Sequence, residues 1–547
     1  MNTVTISAPK PVEQATGRKP FFTVGFLLII AIFGIYLRFT TKTENIFWYD
    51  ESYIMMHASG YKVQDVVEKI ENKVMTADAV KKQFLQPDAN VKYKDIAAAI
   101  TYDNPGQVPL LNVAAQQFSS RFGPENLRLL PFAFGMLTIL FAFWFGFEIS
   151  GSLLGGLIAA ALTSISPFLI SQSQSLTQAA LLPALVCATS AALLRATKSS
   201  TIVCWILYFC LAAVSLMSST LIICTLIAHV LFVISSSRSR FRKGFLLVPK
   251  NLGYCVLSFL CILAIYFPVV AVQVTHNVYT LMLTPYVGDK VTMDVLLNSW
   301  LTNPLSVFLM NPDNSPLANF LLITLLSIAI SCFVLDWAFG KRKSVLLLLM
   351  VCLLSVIYFW VPDAVFGGQR TLTTKFWVAI PICVLMAVSY AITLAYRTNK
   401  IGLKLIGPLF LVFAVGCQIF SVYKNSGVRE PNMVDEQSLT KVTEAVSKSS
   451  SLTSSSVTVS SPATLVFSRN IDSTNVGQML ALSEAVDPQT KFVWLSASKP
   501  MKLDPAANLF VFNPDDQTFK NLRAMGLRLA PVDKLNFFFR ATKDELL

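Results

Sequence analysis

The chain has 547 residues, a formal net charge of +13, 54% hydrophobic residues and only 14% charged ones. A soluble globular domain carries roughly a quarter charged residues, so this balance excludes an ordinary soluble enzyme. The basic residues form no face or stripe for nucleic acid; they sit in short clusters between apolar runs, as the cytoplasmic loops of a membrane protein do.

Lys10, Arg18 and Lys19 lead into an apolar run from Phe21 to Phe39 with no small-residue cleavage site behind it. This reads as a cytoplasmic tail, residues 1–20, followed by a retained first span. A crossing needs about 20 apolar residues. The runs predict about eleven transmembrane helices, roughly 21–39, 129–148, 153–168, 179–195, 201–218, 219–236, 252–274, 316–336, 344–361, 376–396 and 405–423. With the N-terminus inside, Arg195 and Lys198, Arg238 to Lys250, Lys341 to Lys343 and Arg397 to Lys404 all fall on the cytoplasmic side. The fold class is therefore an α-helical polytopic membrane protein, with residues 21–423 as the membrane domain.

Three long segments are expected outside: 40–128, 275–315 and the tail, 424–547. The first reads as short amphipathic helices at 61–74 and 90–101, with residues 108–120 as a helix on the membrane surface. In the tail, a Ser-rich linker from Ser447 to Ser461 precedes strand-like VTVSSPATLVFS, KFVWLSA and NLFVFNP, with FKNLRAMGL as a helix. It reads as a separate small α/β domain outside the cytoplasm.

The ten cysteines all lie in or beside apolar runs and form no CxxC pair, so neither a zinc site nor a disulfide framework is expected. His229 lies inside a span and reads as a packed or hydrogen-bonded residue. Glu148 reads as a helix-end acid or as part of a proton relay.

The segment FWYDESY, Phe47 to Tyr53, sets two carboxylates beside aromatics just beyond the first span. Aromatics favour the membrane interface, and an acid held there can deprotonate an acceptor, ligate a divalent ion or simply be solvated. On the same side Arg121, Arg128, Arg370 and Lys375 run against the positive-inside trend; they suit a lipid-linked phosphate or phospholipid headgroups.

Taken with RFGPENLRLLPFAFGMLTIL, SPFLISQSQS, GGQRT and FVFNPDD, these features resemble the C-type glycosyltransferases. Within them the chain is similar to the bacterial family that groups with protein O-mannosyltransferases and the lipid A aminoarabinose transferase, in a divergent, cyanobacterial-like branch. The resemblance implies sugar transfer from a polyprenyl-phosphate carrier to a glycan, lipid or protein acceptor at the outer face of the inner membrane, among membrane lipids. It implies Asp50 as catalytic base or acceptor-positioning acid, with Glu51 or Asp103 assisting. Arg370, Lys375 and Arg128 would hold the donor phosphate, and Asp103, His57, Gln107 and Gln172 would contact substrate. No ligand cluster compels a cofactor; a divalent ion bridging Asp50 and the phosphate stays open.

Two departures qualify this. Where relatives carry His-Pro-Pro-Leu, this chain reads Gly106, Gln107, Val108, Pro109 and Leu110; where they carry Gln-Glu-Ala-Arg, it reads Gln172, Ser173, Gln174 and Ser175. The alternative is a catalytically impaired relative that binds lipid-linked sugar or scaffolds envelope polysaccharide assembly. A transporter or flippase is a third class, and no span pair has the broken pattern it needs.

Overall fold

The computed structural model describes residues 21–40, 49–71, 73–241, 250–275, 291–310, single residues between 316 and 330, 344–366, 370–372, 376, 378–397, 401–424, 434–451, 463–467, 473–495, 508–532, 535 and 537–543.

The first apolar run forms α1 (Phe21–Thr40). Five short helices follow in the first loop: α2 (Tyr49–Ala58), α3 (Val63–Ile70), α4 (Ala77–Phe84), α5 (Tyr93–Asp103) and α6 (Leu110–Phe122), with a strand, β1 (Val74–Thr76), between α3 and α4. The bundle continues with α7 (Leu129–Ser150), α8 (Leu153–Ser164), a short α9 (Pro167–Gln172), α10 (Gln178–Ser199), α11 (Ile202–Ser218), α12 (Ile223–Phe241) and α13 (Lys250–Thr275). Then come α14 (Met293–Thr302), α15 (Ser344–Phe366), α16 (Ala379–Arg397) and α17 (Ile401–Lys424). Eight helices among the described residues are long and apolar enough to cross a membrane, and Leu153–Ser164 and Ile202–Ser218 are shorter apolar helices. The chain is a multi-pass membrane protein. The expected span at 316–336 lies largely outside the described residues.

One expected span is broken. The run 153–168 does not continue as a single helix: α8 stops at Ser164 and Pro167 opens α9. Proline is favoured at the first position of a helix and disfavours helical backbone in the residue before it; Ser166 accordingly sits at φ −62, ψ 121. α8 lies so close to α1 that a Cβ at Gly34 would collide with the Ser164 carbonyl. The nine described cysteines are all free. His229 bonds with Ser190 Oγ at 3.1 Å and Tyr208 OH at 3.3 Å, so it is a satisfied core histidine.

The end of α7 remote from the first loop collects the basic side chains expected inside. Glu148, which the sequence leaves as a helix-end acid or relay group, is buried and paired with Lys198 at 2.7 Å. Arg397 donates to the carbonyls of Ser150 at 2.8 Å and Gly151 at 3.0 Å.

The tail comprises α18 (Val434–Ser451), β2 (Thr464–Phe467), α19 (Ser473–Ala485), β3 (Lys491–Trp494), β4 (Leu509–Phe512), α20 (Asp516–Ala524), β5 (Leu527–Pro531) and β6 (Phe538–Lys543). The first residues of the Ser-rich stretch are the end of α18. The sheet order is β1-β3-β2-β4-β6-β5, with β2 parallel to both β3 and β4 and the outer pairs antiparallel. β2 and β4 are buried along their whole length, as central parallel strands covered on both faces are.

The tail does not stand apart. β1, from the first loop, pairs with β3 through Val74↔Val493, Met75↔Phe492 and Thr76↔Lys491. One face of the sheet (Phe467, Phe492, Trp494, Phe510, Phe538) shares a core with Ile54, Met56, Val66, Val80 and Phe84 of the loop. Lys81 pairs with Glu484 at 2.6 Å. Most directly, α19 lies against α2 at Gly477: a Cβ there would stand 2.7 Å from the Tyr53 ring and 2.9 Å from Tyr49 Cβ. Gly477→Val is therefore expected to cost about 1–3 kcal/mol by overpacking and to loosen the tail from α2. The check is limited proteolysis, which should release the tail earlier than in the parent chain.

Candidate active site at the first-loop end of the bundle

The acid pair opens α2, where the positive end of the helix favours acidic side chains. In sequence the two carboxylates look equivalent; in the fold they are not. Asp50 is half-buried in the first turn. Glu51 is 0% exposed, and its Oε1 accepts the backbone N–H of Leu176 at 2.7 Å. A buried carboxylate needs such bonds, because an unpaired buried charge is among the costliest features a fold can carry. Glu51 therefore fastens α2 to the segment between α8 and α10, while Asp50 is the acid left nearer the surface.

That segment is itself unusual. Ser171, Gln172, Ser173, Gln174, Ser175 and Thr177 are all buried in an otherwise apolar bundle. At its start Arg38, at the loop-side end of α1, is also buried and donates through Nη1 to the carbonyls of Gly34 (3.2 Å) and Ser164 and through Nη2 to Thr163 O at 2.9 Å. Hydrogen bonds from a charged group are worth about 1.5–3 kcal/mol each, so Arg38 caps the broken end of α8 and holds the polar turn in place. The segment is thus tied to α1 at one end by Arg38 and to α2 at the other by Glu51.

His57 and Asp103, both expected to contact substrate, are engaged with one another: His57 Nε2 lies 2.9 Å from Asp103 Oδ2 and is itself buried. Asp103 Oδ2 also accepts Val63 N–H at 2.9 Å, so the pair joins α2, α3 and α5. Gln107 Nε2 donates to Asn112 Oδ1 at 3.4 Å, and Asn112 Nδ2 donates to Ile54 O at 3.3 Å, which links the altered 106–110 stretch to the back of α2. Gln172, the last residue of α9, is buried beside the turn that meets Glu51.

Of the expected phosphate cations, Arg128 is half-buried at the N-cap of α7. Arg370 is half-buried and opens a 3-10 turn, Arg370–Leu372, just after α15. Lys375 and Gln369 lie outside the described residues. Among the described residues no group of three or more His, Cys, Asp or Glu could hold a metal ion.

Arg38 and Asp363 carry a signal that the sequence reading passed over. Each is a charge set within an apolar run, and ionisable residues at membrane depth are functional candidates by default. Gly477 and Leu176 carry no such signal, because their roles are backbone approach and a backbone N–H.

No protein-family model matches the chain, and no curated protein matches it by sequence. Solved structures do. The apo structure of ArnT from Cupriavidus metallidurans matches at a TM-score of 0.53 and 10% identity, covering 95% of this chain and 98% of that one. The same protein bound to undecaprenyl phosphate matches at 0.50 and 11% identity with the same coverage. The archaeal oligosaccharyltransferase AglB from Archaeoglobus fulgidus, in complex with an inhibitory peptide and a dolichol-phosphate, matches at 0.45 and 13% identity over 86% of this chain and 64% of that one. The chain has the C-type glycosyltransferase fold, and the likeness to ArnT runs through the tail as well as the bundle.

Proposed function

We propose that the protein is a membrane glycosyltransferase that moves a sugar from a polyprenyl-phosphate donor to a glycan, lipid or protein acceptor at the outer face of the inner membrane. The observation that carries this reading is the placement of the acid pair. Glu51 is buried and accepts Leu176 N–H, and Asp50 stands half-buried beside it in the first turn of α2. A half-buried acid in the first turn of a helix whose next residue is fixed in the bundle suits a general base at a lipid–water boundary. The fold that holds it is shared with ArnT, which has been solved with undecaprenyl phosphate bound.

In this reaction the acceptor hydroxyl attacks the anomeric carbon of the donor sugar. Asp50 takes the hydroxyl proton as the new glycosidic bond forms. The bond from the anomeric carbon to the phosphate oxygen breaks, and the polyprenyl phosphate leaves with its charge held by Arg370, Lys375 and Arg128. Cations aimed at the leaving phosphate act where charge develops, which is where electrostatic stabilisation lowers a barrier most.

A second reading has one observation in its favour. The altered residues Gln172–Ser175 lie buried next to the turn that Glu51 holds, not at the periphery. The acid and base that relatives carry there are thus missing from the heart of the site, as an impaired relative that binds lipid-linked sugar would have it. One experiment separates the readings. Purified protein in lipid nanodiscs is given a panel of radiolabelled polyprenyl-phosphate sugars with envelope lipids, glycans and peptides as acceptors. Label appearing in an acceptor, with free polyprenyl phosphate released, supports the enzyme. Donor binding without transfer across the panel supports the impaired relative.

A further inference from the structure

Arg370 does not sit on a loose loop. The residue after it, Thr371, is fully buried and has every polar group taken. Its N–H and its hydroxyl both donate to Asp363 Oδ2, each at 2.7 Å. Its hydroxyl oxygen accepts Trp300 Nε1–H at 2.9 Å. Its carbonyl accepts Ser299 Oγ–H at 3.0 Å and Asn303 Nδ2–H at 2.9 Å. Asp363, near the end of α15, is only 1% exposed. Trp300 is fixed in turn by stacking on Trp360, with ring centroids 5.0 Å apart and 3° between planes.

The hydrogen bonds therefore run in one direction: from the Trp300 indole to the Thr371 hydroxyl to the Asp363 carboxylate. The chain links α14, the Arg370 turn and α15. A buried hydrogen-bond network of this kind rigidifies what it holds. α14 adds a depth reference. Its exposed side carries Met293, Leu297 and Leu301, one residue per turn at 49%, 44% and 50% exposure. An apolar stripe of this kind on a short helix suits the lipid interface.

We propose that Thr371, Asp363 and Trp300 are positioning residues that hold Arg370 at the membrane interface for a lipid-linked phosphate. This rests on the phosphate role given to Arg370 above. Displacing a binding group by about 1 Å can cost on the order of 100-fold in rate, so a residue with no ligand contact of its own can matter as much as the guanidinium.

The test uses the full chain in nanodiscs, with undecaprenyl phosphate as probe and its Kd as readout. Arg370→Ala and Thr371→Val are each expected to raise the Kd by about tenfold, the loss of one good charge-assisted contact. Thr371→Ser, which keeps the hydroxyl, should stay near the parent value. Trp300→Phe, which keeps the stack and loses the N–H, should weaken binding in the same direction. The deciding measurement is the double variant Arg370→Ala/Thr371→Val. If Thr371 acts through Arg370, the double variant binds no worse than Arg370→Ala alone, because coupled residues are not additive. Full additivity, or parent-like binding by Thr371→Val while Arg370→Ala fails, overturns the positioning role. Parent-like binding by Arg370→Ala overturns the phosphate role of Arg370 itself, and the positioning role with it.

Discussion

Asp50→Asn is expected to lower sugar transfer by about 10²–10⁴-fold, the usual worth of a general base, while leaving the fold and donor binding intact. The side chain is half-buried in the first turn of α2, and the substitution preserves its size and shape. What it removes is the capacity to take a proton from the acceptor. The check is a single-turnover assay at saturating donor, alongside the Kd for undecaprenyl phosphate. The rate should collapse with the Kd unchanged. Unchanged transfer would remove Asp50 from the chemistry and leave the fold without an identified base.

The neighbouring acid is expected to behave differently. Glu51→Ala should lose stability and transfer together. It leaves Leu176 N–H buried without its acceptor, a loss of about 1–3 kcal/mol, and the space vacated by a fully buried side chain adds to it. Because the same bond ties α2 to the polar turn after α9, Asp50 should shift with it, and about 1 Å of movement suffices for a roughly 100-fold rate loss. Glu51→Gln retains an oxygen that can accept from Leu176 and should recover most of both. Thermal unfolding and transfer rate, measured on the three chains, decide the matter. A Glu51→Gln chain as inactive as Asp50→Asn, yet normally stable, would make Glu51 a proton acceptor and refute its role as a strut.

The tail bears on both expectations. α19 packs on α2 at Gly477, and the sheet shares its core with the first loop. The helix that carries the acid pair is thus held between the polar turn of the bundle on one side and the tail on another. A change far along the chain, at Gly477, is expected to reach the site through this contact.

What the sequence determined by itself is whatever local composition controls. A bilayer demands a continuous apolar stretch in each crossing segment, so the spans could be read from runs of residues: eight of the predicted eleven coincide with described helices long and apolar enough to cross, and 201–218 with a shorter apolar helix, while 153–168 is broken after Ser164. The acid pair was visible for the same reason: two adjacent carboxylates among aromatics are a local feature. The strands at 464–467, 491–494 and 509–512 were legible because central strands are apolar on both faces.

Only the tertiary structure could decide which groups meet. β1 has three residues, too few to show alternation, and is a strand because β3 offers it a partner. Asp50 and Glu51 have the same chemistry in sequence; the N–H of Leu176, 125 residues away, fixes Glu51 in the bundle, while Asp50 stays half-buried. His57 and Asp103 pair across 46 residues, and Thr371 is held from Asp363 and from a helix about 70 residues earlier. Hydrogen bonds have short reach and strict geometry, so no spacing along the chain reports them. The acid pair could be found in the sequence, but the different burial and bonding of its two members arise from contacts that exist only once the bundle, the first loop and the tail have packed together.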